Sequence, residues 1–224
     1  MNELEALAPW IDPLALAASL ALLAAYRAWA HARERGTPGL LVHALNVRVR
    51  QRWVETVMES GRMDVLAVQT LRNSVMAASF MASTAVLLII GALTLTANIE
   101  SIGRFWAGAG GYATHWTAVK IGALLVDFSL AFFQFTMAIR FFNHVGYMIN
   151  VAPDKRDAST GPDAVVAMLN RAGAHYSTGL RTFFFCLPLV LWLLGPLWLF
   201  AGTVGLLPAL WRLDHVSASE ASAG

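Results

Sequence analysis

Residues 74–95, SVMAASFMASTAVLLIIGALTL, run for 22 positions without a charge. A hydrocarbon core about 30 Å thick is crossed by roughly 20 helical residues rising about 1.5 Å each. Inside lipid every backbone N–H and C=O must be satisfied within the protein, so a run of this length and purity is read as a membrane-spanning helix. Composition extends the constraint to the whole chain. Hydrophobic residues make up 57% and charged residues 13% of its 224 positions, against the roughly 25% charged residues of a soluble domain.

Three further segments meet or approach spanning length. The first is LALAASLALLAAYRAWA, residues 14–30, which Asp12 and Pro13 open as N-cap and first-turn residues. Its arginine, Arg27, lies near the end and can snorkel to the interface. The preceding MNELEALAPW is acidic and the positive charges follow the run, so this is a retained anchor rather than a signal peptide. The third segment, about 114–149, is interrupted by Lys120, Asp127, Gln134 and Arg140. The fourth, residues 182–211, has 30 positions without a charge, broken by Pro188, Gly195-Pro196 and Pro208. One kinked helix is expected there, with a span plus a short re-entrant end as the alternative, because two short spans would leave no room for a turn and a full return crossing.

The predicted fold is therefore an all-α membrane protein. It has four transmembrane helices at about 14–31, 65–98, 114–149 and 180–211, within a single membrane domain of residues 13–212. Residues 1–12 precede the first span, and the tail 213–224 reads as disordered. Thirteen of the sixteen basic residues fall in the stretches 27–72 and 140–181, which four spans place on one side. Positive charge marks the cytoplasm. Both termini are then extracytoplasmic, with Arg104 and Arg212 opposite the basic loops, in a protein of the bacterial inner membrane.

Between the first two spans, Val49, Trp53 and Val57, with Val54 and Met58, share one face of a helix over about 44–60, while Arg48, Arg52, Glu55 and Glu59 flank it. This predicts an amphipathic interfacial helix at the cytoplasmic headgroups or against the bundle, with anionic lipid as its partner. A short basic helix beside a membrane is not a nucleic-acid site, so the pI near 9.0 carries no such implication.

Ionisable groups inside spans are costly and are candidate sites by default. Lys120, Asp127 and Gln134 lie seven residues apart on one stripe of the third span. Neighbours on this stripe are about 10 Å apart along the axis, so Asp127 needs a partner on another helix, water or a proton. It reads either as an ion or proton site or as a buried structural acid. Arg140, Asn143, His144 and Tyr147 form a second cluster near the cytoplasmic end of that span, an interfacial anchor or a vestibule. Gln69, Arg72 and Asn73 open the second span, and Gln69, Asn73, Met76, Phe80 and Ser83 follow one face. Ser74, Ala78 and Ala82, and separately Ser79 and Ser83, are patterns suited to close helix packing. Arg181 marks the interface before the fourth span, and Trp192, Trp198 and Trp211 suit belt or packing roles. His144 and His175, the latter in the following loop, are weak metal candidates, and the lone Cys186 has no intrachain partner. No metal or other cofactor is expected.

The strings LAVQTLRNSVMAASFMAST, RFFNHVGYMIN and GLRTFFFCLPLVLWLLGPLW, preceded by RQRWVETVM, resemble the Domain of Unknown Function 599 family over roughly residues 15–212. The resemblance implies a multi-pass membrane protein of a kind found in bacteria and plants, and brings no catalytic residues with it.

No Walker A, GxSxG, HExxH, Rossmann or CxxCH pattern occurs, so nothing points to an enzyme. Three functions compete. The favoured one is a small oligomeric channel or transporter for ions or small solutes, motivated by Asp127. The second is a structural or accessory subunit that packs as a partner within a larger membrane complex. The third is a membrane-embedded metal or haem binder.

Overall fold

The computed structural model describes residues 3–36, 42–60, 64–97 and 116–214, and these are all helix apart from the connections at 150–161 and 195. Six helices follow one another: α1 (Glu3–Gly36), α2 (Val42–Ser60), α3 (Asp64–Ala97), α4 (Thr117–Ile149), α5 (Pro162–Leu194) and α6 (Pro196–Asp214). A short 3-10 turn, Pro153–Lys155, lies between α4 and α5. Four segments are long and apolar enough to cross a membrane: Trp10–Ala30 of α1, Val65–Ala97 of α3, and α4 and α5 over their whole lengths. The helix between the first two of these, α2, is not. Arg62, Arg104, the expected start of the third span at Thr114 and the tail from residue 215 lie outside the described residues.

The long helices pack in the order α3, α4, α5, α6, α1. On α3 the buried stripe is Ala67, Leu71, Ala78, Ala82, Ala85 and Ala92. Small side chains bring two helix backbones close together, which drives association in lipid where apolar burial alone does not. Of the two small-residue patterns in the sequence, the one through Ala78 and Ala82 faces α4, while Ser83 is exposed. The opposite face of α3, with Met76, Phe80 and Leu87, is exposed among the described residues. Phe135 of α4 is fully buried between α3 and α5. Its ring lies where Gly179 has no side chain, 2.9 Å from the position a Cβ would take.

The apolar run 182–211 is divided rather than kinked. Gly195 has φ +151° and ψ 162°, a region open essentially to glycine alone. Pro196 then starts α6, and the Gly195 carbonyl accepts from the N–H groups of Trp198 and Leu199. The chain reverses here: a Cβ on Gly202 would lie 2.8 Å from Leu191 Cδ1 and 3.0 Å from Pro188 Cα. Residues seven positions either side of Gly195 are thus in contact, as in a helical hairpin. Room for the return exists because α5 begins at Pro162, well before the expected start near residue 180. Gly161 stands at the N-cap, Pro162 in the first turn and Asp163 beside the positive end of the helix dipole. The 19 residues of α6 span about 28 Å, the same length of α5 that separates Trp192 from Gly173. The far end of α6 accordingly reaches α2. Arg212 therefore lies at the α2 end of the bundle, opposite to its expected place.

α2 lays its apolar side on the bundle. Val54, Val57 and Met58 are buried with Leu71 of α3, Val145 and Met148 of α4, and Val165, Leu169 and Ala172 of α5. Val49, on the same predicted face, stays 55% exposed. Arg50 is half-buried, its Nη1 3.5 Å from Asn170 Oδ1, and its guanidinium fills the space a Cβ would need at Gly173. Burial holds the Arg50 guanidinium below its usual pKa. Arg156 donates from Nη1 to the Met58 carbonyl at 3.2 Å, satisfying one of the carbonyls left open where α2 ends. It also donates from Nε to Val151 O at 3.0 Å.

Candidate functional site

α4 carries its polar stripe inward. Lys120 and Asp127 are buried and Gln134 is half-buried, and each meets the bundle at its own depth. Two turns of helix, about 10 Å, separate successive members.

At the first depth, Lys120 Nζ lies 3.1 Å from Asp12 Oδ1. Asp12 is not an N-cap residue, because α1 begins at Glu3 and runs through Asp12 and Pro13. Its Oδ1 also accepts a 2.7 Å hydrogen bond from the indole Nε1 of Trp192. The Lys120 ammonium stands 5.6 Å from the Trp192 ring centroid, within cation–π range. Trp192 is fully buried and Asp12 is 2% exposed, so the pair is shielded from solvent and ties α1, α4 and α5 together. Trp192 is a partner of the charged pair and not part of an interfacial belt.

Asp127 occupies the second depth. It is 7% exposed, and its Oδ2 has no hydrogen-bond partner. Cys186 of α5, a free buried thiol, is near enough to interact with its charge. A bare ionised carboxylate in this position would cost several kcal/mol even after relaxation. It therefore carries a proton, or meets a charge that the described side chains do not supply.

At the third depth the Gln134 amide Oε1 and His175 Nδ1 are 2.6 Å apart, and the His175 ring stacks on Phe141 at 5.2 Å between centroids. The short contact to a carbonyl oxygen requires the proton on Nδ1. His175 lies within α5, not in a loop. Between the second and third depths the bundle is filled by aromatic rings. Phe135 meets Tyr176 at 5.9 Å and Phe183 at 6.5 Å, and Phe128 meets Phe183 at 6.4 Å. Asp127 is thus closed off from the His175 end by side chains that can rotate.

The other candidates lie elsewhere. Arg140, Asn143, His144 and Tyr147 are exposed on the outer side of α4, with Tyr147 at 75%. Gln69, Arg72 and Asn73 are exposed on α3. Leu71 Cδ1 lies 3.9 Å from the Cβ position of Gly146, so the two sets share one end of the bundle. Arg181 is half-buried on α5. His144 faces outward while His175 is engaged by Gln134, so the structure does not bring the two together. Among the described residues no group of three His, Cys, Asp or Glu side chains is placed to hold a metal ion.

Sequence reasoning passed over Asp12 and Ser19 as site residues. A readable signal did exist: Asp12 and Lys120 are opposite charges at the outer ends of two spans. Ser19 is fully buried with no hydrogen-bond partner for its Oγ, and one hydroxyl in an alanine-rich helix carries no such signal.

The family model described as "Protein of unknown function, DUF599" matches residues 14–219. The chain belongs to that family, and with its helices this makes it a multi-pass α-helical membrane protein. No curated protein and no solved structure matches it.

Proposed function

We propose that this DUF599 member is a small transporter of the bacterial plasma membrane that handles its transported charge at Asp127. The carrying observation is the Asp127 carboxylate, buried near the middle of a spanning helix with an unpartnered oxygen. Intramembrane carboxylates of this kind mark ion and proton paths. The rings of Phe128, Phe135 and Phe183 close one side of it, which favours a carrier that repacks these rings over a permanently open pore. Asp127 lies within one chain, between α4 and α5, so a translocation site does not require a neighbouring protomer.

In this reading α6 is a fifth, returning crossing. Arg212 then joins the basic residues of α2 and of the α4–α5 connection on the cytoplasmic side, where the excess of arginine and lysine belongs. The N-terminus is extracytoplasmic. Arg72, Arg140 and Tyr147, exposed at the cytoplasmic end of α3 and α4, meet anionic lipid headgroups.

Proteoliposomes loaded with pH- and sodium-sensitive dyes test this reading. Wild-type protein is expected to carry one of the two ions down an imposed gradient, and Asp127→Asn to abolish the flux. Wild-type vesicles no leakier than protein-free ones would refute it.

A further inference from the structure

The stripe through which α2 docks on the bundle reads Val47, Arg50, Val54 and Val57, each one turn from the next, so an arginine takes an apolar position within it. Val54 and Val57 are buried in one core with Leu169 and Ala172 of α5, and Arg50 meets α5 at Gly173. The central carbon and both terminal nitrogens of its guanidinium are equally close to the Cβ position of Gly173. The group therefore lies flat on the α5 backbone, with its N–H edges directed along the groove between α2 and α5. Glycine is a poor residue for a helix interior, yet only glycine leaves room for that plane. The edges are weakly used. Nη1 reaches Asn170 Oδ1 at 3.5 Å, beyond the roughly 2.7 to 3.2 Å of a full N–H···O bond. Nε and Nη2 have no acceptor among the described residues. No carboxylate pairs with the group either: burial lowers its pKa with no opposing pull from an acid. Of the acids of α2, Glu55 is engaged by Gln51 and Glu59 is exposed further along the helix.

Depth points to the class of anion that meets these donors. From Gly195 back to Gly173, α5 is about 33 Å long, slightly more than a hydrocarbon core of about 30 Å. With the Gly195 turn at one membrane face, the Arg50 guanidinium stands level with the lipid phosphates of the other. We propose that Arg50 and Asn170 hold the phosphate of one anionic phospholipid in the groove between α2 and α5. A guanidinium presents paired N–H groups that match two phosphate oxygens. The Asn170 amide, whose oxygen faces Arg50, brings an NH2 donor beside them. Arg171 on α5 and Arg212 on the end of α6 that reaches α2 are both exposed, and their charge selects a headgroup of net negative charge. The bound lipid supplies the countercharge that the chain does not, and so ties α2 to α5.

The site is separate from Asp127 and does not depend on transport. Native mass spectrometry of the full chain in detergent, titrated with dioleoylphosphatidylglycerol or dioleoylphosphatidylcholine, tests it. Wild-type protein is expected to retain one phosphatidylglycerol per chain at concentrations where phosphatidylcholine does not bind. Arg50→Gln should weaken that binding by at least about tenfold, the loss of about 1.4 kcal/mol. Arg50→Lys, which keeps the charge and the apolar stem but not the planar fork, should weaken it measurably and serves where Arg50→Gln does not fold. Arg48→Ala and Arg52→Ala, on the exposed side of α2, should leave it within about twofold, an energy at the level of an exposed charge. Equal losses at Arg48, Arg50 and Arg52 would reduce the effect to diffuse surface charge and overturn the site. Unchanged binding in Arg50→Gln or Arg50→Lys would overturn it as well. Inorganic phosphate at the lipid's concentration is expected not to compete, and displacement by it would assign the groove to free phosphate and overturn the lipid.

Discussion

Replacing Lys120 by Met strips Asp12 of its countercharge while the carboxylate stays buried at 2% exposure. The Trp192 indole N–H then remains as its hydrogen-bond donor. Removing one member of a buried ion pair costs about 3 to 5 kcal/mol, because the surviving charge stays desolvated. Asp12→Asn strands the Lys120 ammonium in the same way and carries a similar cost. The double variant Asp12→Asn/Lys120→Met behaves differently. Both charges are gone, Met matches the lysine stem in shape, and the amide oxygen introduced in place of the carboxylate still accepts from Trp192. Near volume-conserving changes of this kind cost under about 1.5 kcal/mol. The coupling between the two sites is therefore expected to exceed about 3 kcal/mol, well above the roughly 0.5 kcal/mol within which independent sites add. Unfolding of the purified protein by SDS in mixed micelles, followed by tryptophan fluorescence, measures all four corners of the cycle. Additive single costs would refute the claim that this pair is a closed, shielded lock between α1 and α4.

The hairpin at Gly195 makes a second prediction: Gly195→Ala is expected to cost about 1 to 3 kcal/mol through its backbone conformation. Gly202→Val should separate α6 from the Pro188 backbone, exposing the 196–214 segment to protease in nanodiscs. At Gly173, an added methyl meets the movable end of Arg50, so Gly173→Ala is expected to expel the guanidinium. The double variant Gly173→Ala/Arg50→Ala should then be no less stable than Arg50→Ala alone, by the same SDS titration. In the connection before α5, Asp157 Oδ1 accepts from the N–H and hydroxyl of both Ser159 and Thr160, which holds its carboxyl below the usual carboxylate range. A depressed value means that this turn is fully supported above the ordinary carboxylate pKa and loosens as pH falls through the lowered one. Carboxyl-carbon NMR titration should show Asp157 titrating below the ordinary carboxylate range, and Asp157→Ala should fray the start of α5.

Much of this was legible in the sequence, for physical reasons that differ by element. Long uncharged runs have only one stable solution in lipid, so four spanning helices and the amphipathic helix between the first two could be read from residue pattern alone. The common face of Lys120, Asp127 and Gln134 followed from their seven-residue spacing, while its direction is set by helix packing that the pattern does not carry. Partners were harder. Asp12 resembles a helix-opening residue when the chain is read locally, and only the register of α1 against α4 makes it an ion-pair partner. The reversal at Gly195 was hidden by the assumption that α5 starts near residue 180. Once the helix is seen to start at Pro162, much of it lies beside α2, and the second half of the apolar run is free to return. His144 and Tyr147 drew attention as chemistry-bearing residues, yet they sit on the exposed face, while the less conspicuous Ser19 is fully buried.

The central claim is that a cation occupies and leaves the buried Asp127 site during transport. The most direct measurement is the current produced by a sodium or pH jump on proteoliposomes adsorbed to a solid-supported membrane. Wild-type protein is expected to give a current absent from Asp127→Asn vesicles containing equal amounts of folded protein. No current from the wild type, or an equal current from Asp127→Asn, would contradict the account.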